Sequence, residues 1–226
     1  MPLLVPLLPE QIEAANWLHA QVPYWQTTDG VLDALAERFP RFGAEETLIK
    51  VIAVNALYGT NLYAVARMAV HAQQLFGDTD LRTASPELIE HLAALPAINN
   101  GDRARRHYSF ASKFAHFFVY PTRFPIMDTY AEIMLRFHFG RGNMRIDPDH
   151  RYDAFVHNFR RLKRLAGFQG TIRELDHYLW LAGLYRKWQK KQDARINVEA
   201  NRLFFEARGQ TARCLDELAP PTDRAQ

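Results

Sequence analysis

Cysteine is nearly absent from this chain: Cys214 is the only one in 226 residues. A lone cysteine excludes an internal disulfide framework, a cysteine-rich zinc site and a cysteine-ligated iron–sulfur cluster. It fits a reduced compartment, so a cytoplasmic location is expected. Long apolar runs are missing too, since none approaches the roughly 20 residues that span a bilayer. The opening "MPLLVPLLPEQ" is apolar, but it has prolines at Pro2 and Pro6 and neither a basic leader nor a small-residue cleavage site. It is therefore not read as a signal peptide. Alternation of β type never lasts beyond about five residues, and no repeat recurs at a fixed period.

What the chain does have is helical periodicity. "EETLIKVIAVNALY", residues 45 to 58, is apolar with two acids in its first turn, as a buried helix near its N-terminus would be. "TNLYAVARMAVHAQQLFG" sets Leu62, Val65, Ala69, Ala72 and Phe76 on one stripe, with Gly77 as the stop. Ser85 and Pro86 open "SPELIEHLAAL" as cap and first helical residue. Tyr152, Phe155, Phe159, Leu162 and Leu165 form a further stripe ended by Gly167, and Thr171 with Glu174 makes a capping box for "IRELDHYLWLAGLYRKW". The expected fold is all-α, with about nine or ten helices joined by short turns and no strands of consequence. The tail "APPTDRAQ", residues 219 to 226, is expected to be disordered.

The formal net charge of +3 hides an asymmetry. Residues 101 to 192 hold 18 Lys/Arg against 8 Asp/Glu, and the remainder holds 10 against 17. A basic stretch on a nearly neutral protein suits a polyanionic partner; two solvated faces of unlike sign account for the same numbers.

The most unusual stretch is "ASKFAHFFVYPTRFPIMDTYA", residues 111 to 131. A helix over about 109–120 aligns Phe110, Phe114, Phe117 and Phe118, with Lys113 beside the stripe. An amine shielded by aromatic rings has its ammonium form disfavoured and becomes a usable nucleophile. Pro121 and Pro125 break that helix, and Asp128, 15 residues after the lysine, opens the next one, "TYAEIMLRFHF". Spacing alone leaves two readings: a solvated lysine followed by a plain helix cap, or a catalytic pair.

"SKFAHFFVYPTRFPIMDTYAEIMLRF" resembles the catalytic segment of the helix-hairpin-helix DNA glycosylases. In that superfamily a lysine on one helix is followed by an aspartate opening the next. "VIAVNALYGTNLYAVARMAVHAQQLFG" resembles the helix pair of the 8-oxoguanine DNA glycosylase branch, whose polar turn meets the DNA; here that turn is Gly59, Thr60 and Asn61. "RELDHYLWLAGLYRKW" is similar to the closing helix of bacterial members. The family's glycine-rich hairpin ahead of the lysine has no counterpart in "LPAINNGDRARRHYSFASK", so backbone phosphate binding there is not carried over.

The resemblance implies a two-lobed unit over 1–218, with lobe A about 1–44 plus 150–218, lobe B about 45–149, and a cleft between them. It implies excision of a damaged or modified base in DNA repair. Lys113 would attack the deoxyribose C1′ and form a Schiff base, giving abasic-site lyase activity, and Asp128 would stabilise positive charge developing on the sugar. The expected partner is double-stranded DNA with a modified base, bound by a monomer, without membrane, metal or cofactor. The alternative is a non-catalytic nucleic-acid-binding or damage-recognition protein of the same fold.

Further DNA contacts are expected from Thr60 and Asn61, from Arg103, Arg105 and Arg106 ahead of the catalytic helix, and from the turn holding Gly167 and Gly170. His116, Phe117 and Trp180 are candidates for the base pocket. Each has an ordinary counterpart: a solvated basic turn, a helix stop before a capped start, a packed histidine, aromatic core.

Overall fold

The computed structural model describes residues 2–97, 106–191 and 197–218. Among them the chain is helical throughout. Eleven α-helices and two short 3-10 turns form, one isolated bridge pairs Ala94 with Arg106, and no strand occurs. The count exceeds the expected nine or ten because two short helices close the chain. No helix among the described residues is long and apolar enough to cross a membrane. The tail 219–226 lies outside the described residues.

The chain divides into two compact units. The first comprises Met1–Thr27, Asp128–Arg145 and His157–Gln226, and the second Thr28–Met127 and Ile146–Val156. The first holds α1 (Pro9–Ala20), the start of α2 (Pro23–Arg38), α7 (Thr129–Phe139), most of α8 (Arg151–Leu165), α9 (Ile172–Lys191), α10 (Val198–Phe205) and α11 (Gln210–Leu218). The second holds the rest of α2, α3 (Ala44–Tyr58), α4 (Val65–Phe76), α5 (Pro86–Ala93), α6 (Tyr108–Phe118) and the start of α8.

In the first unit α9 is the central element, packed by α7 on one side and α1 on another, with α11 on α1. The approach of α7 to α9 depends on Gly183. A Cβ there would sit 2.4 Å from the Tyr130 carbonyl oxygen, backbone that cannot swing aside. The Thr171/Glu174 capping box forms as expected: Thr171 N–H donates to Glu174 Oε2 at 2.6 Å, and Glu174 N–H donates to Thr171 Oγ1 at 3.1 Å. The N-terminal segment is tied in by backbone bonds from Leu4 and Val5 to the His138 carbonyl.

In the second unit an aromatic cluster fills the space where α3, α4 and α6 meet. Phe42 lies 5.1 Å from Phe76, Phe76 5.9 Å from Phe114, and Phe114 5.3 Å from Phe118. Burying each such ring contributes about 1.5–3 kcal/mol, and the tilted pairs add to that.

Two helix-end expectations need correction. Leu165 is 42% exposed, because α8 has reached its last turn and its apolar stripe has run past the core. Gly77 ends α4 with φ −54°, an ordinary helical value. Its glycine is required instead by crowding, since a Cβ would sit 2.8 Å from the Gln73 carbonyl oxygen.

Candidate catalytic site

Helix α6 carries the candidate lysine, and nearly every side chain on it is buried. Lys113 itself is 5% exposed, so the reading of a solvated, snorkelling lysine is overturned. Its Nζ donates to Ser109 Oγ at 2.8 Å, one turn earlier on the same helix, and lies 5.7 Å from the centre of the Tyr58 ring. The amine is thus withdrawn from solvent beside a hydroxyl and a ring face.

The stretch from α6 to Asp128 is held by side chains rather than by regular structure. His116 Nδ1 meets the Phe124 carbonyl at 2.9 Å, the Tyr152 hydroxyl donates to the Pro125 carbonyl at 2.9 Å, and Met127 N–H donates to Ser112 Oγ at 2.9 Å. Three successive anchors thus pin residues 124–127 within the second unit, which is how a segment broken by two prolines keeps one conformation. His116 is 1% exposed and belongs to this clamp.

Asp128 opens α7 in the first unit. Its Oδ1 accepts from Tyr130 N–H and Ala131 N–H, both at 2.9 Å, so the carboxylate is a true N-cap. Lys113 belongs to the second unit, whose first segment ends at Met127, the residue before Asp128.

The Gly59–Asn61 turn also belongs to the second unit. Gly59 at φ +55° and Asn61 at φ +54° adopt left-handed backbone, common for glycine and tolerated by asparagine. Asn61 does not cap the following helix, which starts only at Val65. The turn is held by Asn55, whose Oδ1 accepts from Leu62 N–H at 2.9 Å and Thr60 Oγ1 at 2.8 Å, while its Nδ2 donates to the Leu62 carbonyl at 3.0 Å. Asn61 is left exposed.

The remaining expected contacts divide sharply. Arg103 and Arg105 lie outside the described residues. Arg106 Nη1 stands 3.6 Å from Glu90 Oε2 and also reaches the Tyr108 hydroxyl at 3.4 Å. Glu90 is a buried carboxylate whose other oxygen accepts Tyr152 N–H at the start of α8, so Arg106 already has a structural charge to balance. At Gly170 the space is taken, since a Cβ there would run into the Phe168 ring and Glu174 Oε2, whereas Gly167 has open space beside it. The Glu174 carboxylate accepts the Thr171 N–H, so the turn joins a helix stop at Gly167 (φ +65°) to a capped start. Phe117 packs on His116 and Tyr58 in the second unit. Trp180 makes an edge contact with Trp25 in the first, 4.9 Å between ring centres.

Periodicity gave no hint of a second buried lysine. Lys50, on α3, is 1% exposed; its Nζ donates to the Arg41 carbonyl at 2.6 Å and lies 4.0 Å from the Phe42 ring centre. Burial pulls its pKa down from 10.5 to about 8, against a smaller upward pull from Glu46. The sign of the consequence follows directly. Between about pH 8 and pH 10.5 the unfolded chain still holds the proton that the folded one has released, so stability rises with pH across that window. Lys50→Met should be at least as stable at pH 7, with a Tm about 2–4 °C higher, and should lose the rise above pH 8. Denaturant titrations at pH 7, 8.5 and 10 check this, and an unchanged slope would place the buried amine elsewhere.

No curated protein and no solved structure matches the chain. A family model does: HI_0787_N, described as an N-terminal domain, matches residues 10–122, which is half of the chain and includes α6 with Lys113. The chain belongs to the HI_0787_N N-terminal domain family.

Proposed function

We propose that this protein is a DNA glycosylase that excises a damaged or modified base and carries associated abasic-site lyase activity through Lys113. The observation that carries the reading is the lysine itself, withdrawn from solvent on an aromatic helix with its amine on Ser109 and the Tyr58 face. A lysine kept only for solubility has no physical reason to be there.

In the proposed reaction the neutral Lys113 nitrogen bonds to C1′ as the C1′–base bond breaks, and its electron pair leaves with the base. The nitrogen then passes a proton to O4′ as O4′ takes the electron pair of the opening C1′–O4′ bond, leaving an iminium between Lys113 and C1′, and the departed base takes up a proton from water. Asp128 would offset positive charge on the sugar in the transition state, where a fixed carboxylate is most effective. The target nucleotide must leave the stack for its C1′ to be reached. Asn61, exposed on a turn that Asn55 holds rigid, is suited to occupy the space it vacates. The two-lobed arrangement with the active cleft between lobes belongs to this proposal, as does the basic stretch 101–192 serving as phosphate contact.

The near-complete burial of Lys113 also favours a second reading, a nucleic-acid-binding or damage-recognition protein of the same fold without chemistry. One experiment separates the two. Duplexes carrying single modified bases or an abasic site are incubated with the protein and borohydride, then resolved under denaturing conditions. A covalent protein–DNA band supports the enzyme. Salt-sensitive binding with no band on any substrate supports recognition alone, and no binding at low salt rejects both.

A further inference from the structure

A lysine side chain carries about 2 kcal/mol of rotamer entropy, so an amine that must meet one carbon atom needs groups that hold it. Two residues outside the sequence-based set meet the Lys113 amine in the second unit, and a third, Asp29, holds one of them. Ser109 accepts its Nζ–H at 2.8 Å from one turn below on α6. Tyr58, the last residue of α3, presents its ring 5.7 Å from the same nitrogen, within the roughly 6 Å over which a ring face attracts a cation.

Tyr58 is itself held from two sides. Its hydroxyl donates to Asp29 Oδ1 at 2.6 Å, and its ring packs at 5.6 Å on Phe117, one turn beyond Lys113 on α6. A phenol donating to a carboxylate is a charge-assisted hydrogen bond, stronger and more directional than a neutral one. Ser109 on α6 and Tyr58 on α3 therefore meet one amine, and Asp29 on α2 holds Tyr58, all within one compact unit.

We infer that Ser109 and Tyr58 are positioning residues for the Lys113 amine, and that Asp29 acts through Tyr58 by fixing its ring. The inference rests on the reading of Lys113 as nucleophile. A hydroxyl and a ring face on the amine together restrict where its nitrogen can stand. Misplacing a reacting group by about 1 Å is enough to cost two orders of magnitude in rate.

The test has a functional arm and a spectroscopic arm, run on the full chain. Ser109→Ala and Tyr58→Leu should each slow borohydride trapping about 10-fold or more, with duplex affinity within about twofold. Ser109→Thr, which keeps the hydroxyl, should restore trapping. Asp29→Asn, which keeps an acceptor for the phenol, should stay near the parent, while Asp29→Leu should match Tyr58→Leu. In protein grown with 13Cε-lysine, the Lys113 signal, assigned by its loss in Lys113→Gln, should be ring-shifted in the parent and in Asp29→Asn. It should move toward the ordinary lysine position in Tyr58→Leu and Asp29→Leu. Thermal unfolding of each variant identifies any that fail to fold, and the conservative pairs then carry the comparison. A parent that never traps while the ring shift behaves as described would reject the nucleophile reading and leave the cradle standing. A trapping parent whose Ser109→Ala and Tyr58→Leu variants trap at the parental rate would overturn the inference, whatever the spectra show.

Discussion

Lys113→Gln should abolish borohydride trapping, a loss of at least about a thousandfold, while duplex binding stays within about threefold of the parent. The substitution is conservative in shape, and a glutamine amide can still donate to Ser109 Oγ, so the packing of α6 has no reason to change. What disappears is the only nitrogen in the proposal that can carry the covalent bond. Binding is insensitive because one charge is a small share of an interface that neutralises many phosphates. Asp128→Asn sharpens the point. Asparagine caps a helix about as well as aspartate and can accept from Tyr130 N–H and Ala131 N–H as Asp128 does, so α7 should start where it does now. Base release should nevertheless slow by about 10²–10³-fold, since the removed charge acts on the transition state. Trapping that persists in Lys113→Gln moves the nucleophile to another amine, and the buried Lys50 is the first to examine by the same substitution.

Acid should weaken the first unit through His138. This imidazole is fully buried and has both nitrogens engaged, Nδ1 on the Val5 carbonyl at 2.8 Å and Nε2 on the Tyr178 hydroxyl at 2.8 Å. The pair is satisfied by the neutral ring, with Nδ1–H donating to the carbonyl and Nε2 accepting the phenol proton. Burial holds the pKa down from 6.5 to about 4, with Arg186 adding to the depression and the Val5 bond opposing it. The folded pKa lies below the unfolded one, so no penalty exists above pH 6.5; below it the unfolded chain takes up a proton that the folded chain refuses. Stability should therefore fall by about 2 kcal/mol between pH 7 and pH 5 from this group alone, and continue to fall toward pH 4. Protonation would turn Nε2 into a donor facing Tyr178, whose own hydroxyl is fully buried and would have to turn away. NMR of the imidazole gives the direct check: its shifts should stay those of the neutral ring down to about pH 5. Titration near pH 6.5 would sink the prediction.

Much of the fold was legible before any coordinates, for local reasons. A helix stripe repeats at three and four residues, a cap sits next to what it caps, and a proline breaks the helix it interrupts. Hence α3, α6 and α7 start and end close to where the sequence placed them, α4 ends as placed but begins at Val65 rather than Leu62, Asp128 caps as expected, and Thr171 with Glu174 closes its box. The departures arise where a distant partner decides. The Gly59–Asn61 turn carries no sign in its own residues of what holds it, and Asn55, back on α3, does the holding. Arg106 was open between phosphate contact and a solvated basic turn, and its guanidinium stands 3.6 Å from Glu90 on α5. His116 stood open between a base contact and a packed histidine, and the Phe124 carbonyl, beyond the end of α6, is what engages it.

The lysines show the limit most clearly. Lys50 and Lys113 are the same residue type on helices of similar pattern, and sequence alone treats lysine as solvated unless something else is known. The sequence by itself determined that the chain is helical, where most helices begin and end, and that an amine stands among phenylalanines ahead of an aspartate cap. Only tertiary structure decided that both amines leave the solvent, one onto Phe42 and the Arg41 carbonyl, the other onto Ser109 and Tyr58. Burial is a property of what several helices do together. Local pattern reports which face of a helix is apolar, but not whether a neighbouring helix closes over the charged side chain at its edge.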